Sequence, residues 1–192
     1  IERARDSGVS KVFMPNIDDT TVEAMLNVCT AYKGYCFPMI GFHPTSVGAD
    51  SLFRIYEMKK LLSGEHPFVA VGEVGMDLYW DKTYLKEQQK ALDIQIQWAL
   101  EYHLPLVLHC REAFPELFEV MEPYKKTELS GIFHSFTGTL EEAGQVLEYA
   151  RFFFGINGVV TFKKSSLAEV LPHIPLGLSL IHISEPTRLR CI

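Results

Sequence analysis

Three residues stand out for the chemistry their types allow and for where each one falls. Glu73 closes the apolar run Phe68-Val-Ala-Val-Gly-Glu73, His109 closes Leu104-Pro-Leu-Val-Leu-His109, and His134 closes Gly131-Ile-Phe-His134. One carboxylate and two imidazoles form a donor set for Zn²⁺, Mn²⁺ or, less readily, Mg²⁺. Imidazole nitrogen favours the transition metals, and a carboxylate can bridge two ions. An ion held by three protein groups keeps open positions, where it polarises a phosphoryl oxygen and activates water near neutral pH. A single histidine at a strand end is more often a hydrogen-bonded structural residue. Three such groups at three successive strand ends reverse that balance.

The flanking residues add to the picture. Gly72 and Gly75 bracket Glu73 and permit close approach of backbone or substrate, although glycine also serves plain turning. Arg111 offers a planar fork to a phosphate, or pairs with Glu112 or Asp77. His43, between Phe42 and Pro44, sits at an equivalent strand end, where lining the pocket and holding its own loop are equally open. His66, His103, His173 and His182 fall outside this pattern and read as solvated. Leu78-Tyr79-Trp80 with Phe114 could wall a cleft, but packing of a loop on the body of the fold is the simpler account.

The elements that must position these residues alternate. Short strands are expected at Lys11–Met14, Phe37–Phe42 and Phe68–Val74, then ending at His109 and His134, then over Phe152–Asn157. Helical spacing separates them, over Ser51–Leu62, Lys82–Tyr102, Glu112–Tyr124 with Pro115 in its first turn, and Leu140–Tyr149 capped by Thr139. Such alternation specifies an α/β fold with a parallel sheet, and ligands at strand ends place the site on the carboxyl-end rim of a barrel.

Bulk composition narrows the class. The 192 residues are 47% apolar and 22% charged, as in an ordinary single globular domain. No apolar run is long enough for a membrane span. Cys29, Cys36, Cys110 and Cys191 form no C-x-x-C pair and suggest free thiols in a reducing compartment. A net charge of −6 argues against a broad basic nucleic-acid footprint, yet bound cations can meet phosphates on an acidic protein.

Four segments occur in order: Val71-Gly-Glu-Val-Gly-Met-Asp-Leu-Tyr79, Leu108-His-Cys-Arg-Glu112, Phe133-His-Ser-Phe-Thr-Gly138 and Gly155-Ile-Asn-Gly-Val-Val-Thr-Phe-Lys163. With them the chain resembles the TatD family of metal-dependent deoxyribonucleases, within the amidohydrolase-like TIM barrels. The resemblance runs from about Ile1 to Leu176. It implies cytoplasmic hydrolysis of DNA phosphodiesters with two divalent cations. Glu73 matches the carboxylate that bridges both ions, and His109 and His134 match two ligands of one of them. DNA is the implied partner; no membrane and no protein partner follow from it.

Two departures qualify the resemblance. The family carries a His-x-His pair on its first strand, and this chain begins after that point. The family also places Glu-Thr-Asp on its eighth strand, shortly after a segment like Pro172-His-Ile-Pro-Leu176, and its Asp is catalytic. Nothing in this chain matches, so no catalytic residue is carried over, and Glu185 in Ser-Glu-Pro-Thr is not promoted to that role. The expectation is an incomplete (β/α)8 TIM barrel of about six strand–helix units over residues 1–176. Its first and eighth strands would be missing, 177–192 would be a non-family tail, and activity would be impaired or lost. Two alternatives remain: a related barrel hydrolysing another ester or amide, and a non-catalytic barrel remnant with bare strand edges.

Overall fold

A computed structural model describes residues 1–181 of the chain. Glu185, His182, Cys191 and most of the expected tail lie outside them. Within the described residues the apolar runs become seven parallel strands: β1 (Val12–Met14), β2 (Cys36–Pro38), β3 (Val71–Asp77), β4 (Leu106–Arg111), β5 (Gly131–His134), β6 (Phe152–Ile156) and β7 (Ser179–Ile181). The β3 to β7 strands form one sheet in sequence order, β1 and β2 form a second pair, and a parallel bridge from Ile40 to Val71 joins the two. Each strand therefore neighbours the next in the chain, with a crossover between them, as in the wall of a singly wound barrel. No pairing between β1 and β7 closes that wall among the described residues.

The crossovers carry helices α1 (Glu2–Asp6), α2 (Val22–Ala31), α3 (Ser51–Lys59), α4 (Leu85–Glu101), α5 (Phe114–Met121), α6 (Leu140–Leu147) and α7 (Leu167–Val170). Their ends follow local chemistry. Pro115 occupies the first turn of α5, and Thr139 and Glu142 form a reciprocal capping box at the start of α6. Helix α4 lies against β3. Its buried Leu92 and Ile96 share one core with Val71, Val74 and Met76 of β3 and Leu108 of β4. All six are fully enclosed, so truncating any of them to alanine costs roughly 2–5 kcal/mol for the larger side chains.

The structure corrects several expectations. Strand β3 runs on to Asp77 instead of stopping near Glu73, which therefore lies inside a strand. After an irregularity between Gly72 and Val74, pairing resumes as Gly75↔His109, Met76↔Cys110 and Asp77↔Arg111. Met76 needs burial and is given it there. Strand β4 likewise passes His109 and ends at Arg111. The expected Phe37–Phe42 strand is shortened to Cys36–Pro38: Met39 N–H still donates to Met14 O of β1, and Ile40 N–H donates to Ala70 O on the opposite side, where only a bridge to Val71 continues. A seventh strand replaces the expected six, since Ser179–Ile181 extends the sheet beyond Gly177 in register with Phe154–Ile156. His66 is half-buried, not solvated, with its Nδ1 enclosed and its ring near Phe68 and Tyr102.

Gly75 is a position where the sheet tolerates no side chain. It holds φ +143°, and a Cβ there would lie 1.9 Å from the carbonyl oxygen of His109. We predict that Gly75→Ala destabilises the fold by about 3 kcal/mol, through combined overpacking and backbone strain. Urea denaturation should show a lower midpoint with an unchanged slope; an unchanged midpoint would mean the two strands can part without cost.

Candidate metal centre

The four candidate side chains come from three strands and one turn. Glu73 is the extra residue at the β3 irregularity, and its peptide bond with Gly72 is cis. His109 on β4 stands directly beside His134 on β5 and opposite Gly75 on β3. His43 begins a 3₁₀ turn at Pro44–Ser46, and its own N–H donates to Ile17 O at 2.7 Å. Glu112 and Ser135, which follow β4 and β5, both adopt left-handed backbone conformations as the chain leaves the rim.

Glu73 is the centre of the cluster. Its Oε1 lies 2.7 Å from His134 Nδ1 and 3.4 Å from His109 Nδ1. Its Oε2 lies 4.0 Å from His43 Nε2. The carboxylate thus faces two imidazoles with one oxygen and a third with the other. Ligand atoms of His43, Glu73 and His109 all fall within 4.8 Å of one another, close enough to converge on one cation. The His43 and His109 rings lie 4.6 Å apart, tilted by 59°. Nitrogen and carboxylate oxygen at this spacing suit a divalent transition metal, and a carboxylate with partners on both oxygens suits two ions.

Each of these two histidines is oriented through its second nitrogen. His109 Nε2 donates to Asp77 Oδ2 at 2.8 Å, which turns Nδ1 toward Glu73. Asp77 is itself buried, and its Oδ1 accepts the Tyr79 N–H at 3.1 Å. His43 Nδ1 lies 2.7 Å from Thr45 Oγ1. The same Nδ1 accepts the Thr45 N–H at 3.3 Å, which fixes the ring with Nε2 toward Glu73. Carboxylate–histidine–metal relays of this form fix the tautomer and strengthen the ligand.

Proton affinities follow from the same contacts. Burial opposes ionisation of Glu73, yet the hydrogen bonds of His109 and His134 outweigh it and hold the carboxyl well below its usual range. Burial alone would favour a neutral His109, but its bonds to Asp77 and Glu73 push it up to about 9. His43 goes the other way: burial, aided by the charge on His109, lowers it to about 4, so its ring is neutral.

Two glutamines of α4 pin the backbone on either side of this cluster. Gln95 accepts the Phe42 N–H at 2.6 Å and donates back to Phe42 O at 3.3 Å. Gln88 accepts the Asp77 N–H at 2.9 Å and donates to Asp77 O at 3.0 Å. Both amides are buried, so each satisfies a backbone pair that would otherwise be costly to enclose. Sequence reasoning weighed Asp77 only as a pairing partner of Arg111 and passed over Gln88 and Gln95. The available signal was a polar residue on the apolar stripe of α4, at positions 88 and 95 among 92, 96 and 99.

The structure brings Glu73, His109 and His134 together and adds His43 to them. Arg111 stays on the exposed rim, two residues beyond His109, and pairs with neither Glu112 nor Asp77 among the described ion pairs. Its guanidinium instead lies over the Tyr79 ring, 3.7 Å from the centroid. Leu78 and Phe114 are core residues, while Tyr79 and Trp80 stand exposed, so the supposed aromatic cluster divides in two.

A parallel α/β wall with a half-buried His/Glu cluster at its rim is an arrangement suited to a metal-dependent hydrolase. Residues 1–181 match the family model of TatD related DNase, and the chain belongs to that family. It is 31% identical, over 97% of its length and 72% of the relative, to the 3'-5' ssDNA/RNA exonuclease TatD of Pantoea sp. (strain At-9b). It is 30% identical, with the same coverages, to the uncharacterized metal-dependent hydrolase YabD of Bacillus subtilis (strain 168). Among solved structures it resembles the TatD homologue YjjV of Escherichia coli K12, with TM-score 0.79 and 26% identity over 93% of this chain and 69% of that one. No helix among the described residues is long and apolar enough to cross a membrane.

Two outcomes test this geometry. Asp77→Asn should weaken Mn²⁺ affinity by roughly 10–100-fold in calorimetry, the cost of losing an outer-shell carboxylate. In chelator, the raised proton affinity of His109 stabilises the fold fully below its unfolded value of 6.5, and that contribution disappears as pH rises through about 9. The melting temperature should therefore fall across that window. A flat profile would show that the Asp77–His109–Glu73 chain does not hold the proton.

Proposed function

We propose that the chain hydrolyses phosphodiester bonds of DNA with divalent cations gathered around Glu73, and that the 192-residue chain does so slowly. The observation that carries the reading is the buried Glu73 carboxylate placed between His43 on one oxygen and His109 with His134 on the other. When bound there, a divalent cation supplies Lewis acidity at a phosphoryl oxygen and acidifies water. Three imidazoles against one carboxylate favour Mn²⁺ or Zn²⁺ over Mg²⁺. In this reading Glu73, His43, His109 and His134 hold the ions, Asp77 orients His109, and Arg111 takes a phosphate of the substrate strand. The names of relatives, as exonucleases of single-stranded DNA and RNA or as metal-dependent hydrolases, support a nucleic-acid substrate.

Slow turnover follows from the donor count. The cluster holds a single carboxylate among the described residues, and the nearby Asp77 is engaged by His109 and by the Tyr79 amide. Among those residues, no free carboxylate beside the ions remains to accept a proton from water. Sequential strands β1 to β7 support a (β/α)8-type wall that is not closed among the described residues. The buried free thiols of Cys29, Cys36 and Cys110 fit a reducing, cytoplasmic setting.

The test is cleavage of a labelled single-stranded oligodeoxynucleotide with Mn²⁺, Zn²⁺ or Mg²⁺, beside a panel of lactones and carboxylic esters. Slow, chelator-sensitive cleavage is expected. Glu73→Gln should lower it by more than the roughly 10–100-fold typical of an outer-shell partner. Ester hydrolysis with intact oligonucleotide would assign the site to another amidohydrolase-like chemistry. Fast turnover would refute the impairment.

A further inference from the structure

The exposed end of β3 and β4 carries a group that the fold itself does not need. Trp80 is 75% exposed and Tyr79 45%, and their rings meet edge to face at 4.7 Å. The Arg111 guanidinium lies 3.7 Å from the Tyr79 centroid and 5.5 Å from that of Trp80. A tryptophan buried in packing would repay its apolar area; one exposed to this degree contributes little to stability. Arg111 makes no ion pair among the described residues, although its charge helps hold Asp77 ionised.

This group is rigidly tied to the metal cluster. Asp77 accepts from His109 Nε2 with one oxygen and from the Tyr79 N–H with the other. Gln88 clamps the Asp77 backbone, and Leu78 N–H donates to Arg111 O at 3.0 Å. Arg111 stands two residues beyond His109, a rise of roughly 7 Å along the strand. That is about one nucleotide step of an extended strand. Base–aromatic stacking is sequence-tolerant because every base has a π face, and a stacked arginine extends such a surface while its edge binds phosphate.

We propose that Trp80, braced by Tyr79 and Arg111, is a stacking platform for an unpaired base of a single-stranded nucleic acid whose adjacent phosphodiester lies at the metal cluster. Arg111 then takes the neighbouring phosphate, and Trp80 reads the presence of a base. This rests on the nucleic-acid reading above and adds to it the feature that selects unpaired strands, since a base held in a duplex has no free face to offer.

Tryptophan fluorescence can test it in the intact chain. The other tryptophan, Trp98, is only 1% exposed, so ligand-dependent quenching reports Trp80. The probes are a short phosphorothioate oligothymidylate and an abasic strand of equal length, each titrated with Mn²⁺ present. Oligothymidylate should quench and bind; the abasic strand should bind more weakly and without quenching. Trp80→Ala should weaken oligothymidylate binding roughly tenfold while sparing the abasic strand, and Trp80→Phe should restore most of it. Arg111→Ala should weaken both strands. Equal binding of both strands to the wild type, unaffected by Trp80→Ala, overturns the platform and leaves the nucleic-acid reading standing. Failure of both strands to bind in the presence of Mn²⁺ overturns the platform and the nucleic-acid reading together.

Discussion

A carboxylate enclosed within a protein sheet stays ionised only if its charge is met at close range, and the arrangement of this rim follows from that requirement at Glu73. Taken out of water alone, the group would be protonated or would unfold its surroundings. Three imidazoles meet it instead, from β4, β5 and the turn after β2. Two of them hydrogen-bond its Oε1 side and depress its proton affinity; the third, His43, is kept neutral by burial. The result is an anion whose partners are all imidazoles, a side chain able to ligate metals. Cations can replace protons at this cluster without any change in which residues face one another.

Holding four side chains from separate segments at such distances is a task for the backbone, and α4 performs much of it. Its apolar residues pack the sheet from outside, as any barrel helix must. Gln88 and Gln95 use the same buried face to clamp Asp77 and Phe42 through paired hydrogen bonds. One helix thereby ties the residue that orients His109 to the residue preceding His43. A shift of α4 along the sheet would move both arms of the site together and preserve their separation. Asp77 continues the chain outward, joining the His109 imidazole to the loop that carries Tyr79 and Trp80.

Much of this was readable in the sequence, and what was missed has physical causes. The strand–helix alternation and the convergence of Glu73, His109 and His134 follow from short β-rich runs separated by amphipathic segments, a pattern set by burial alone. Glu73 looked terminal because Gly75 reads as a turn former. In the structure that glycine sits inside the sheet, where the His109 carbonyl leaves no room for a side chain. The seventh strand escaped notice because three residues, Ser179–Ile181, carry too little periodicity to separate from a loop. The roles of Asp77, Gln88 and Gln95 were missed for a different reason. Their value lies in hydrogen bonds to groups remote in sequence, which local composition does not encode.

Charge distribution decides how such a site can attract a polyanion. With 24 acidic against 18 basic residues the chain repels nucleic acid at long range. Proteins that bind by neutralising many phosphates do so with basic stripes, and their affinity falls steeply with salt. This rim presents an arginine stacked on Tyr79, an exposed tryptophan and a cation-binding cluster within a few residues of each other along adjacent strands. Attraction under the proposed reading is therefore short-ranged: the ions meet the phosphate that is to be cut, Arg111 meets its neighbour, and stacking holds the base between. Under the same reading an acidic body also disfavours long duplexes, which offer many phosphates to a surface of net negative charge, and favours a single strand that meets the site one nucleotide at a time.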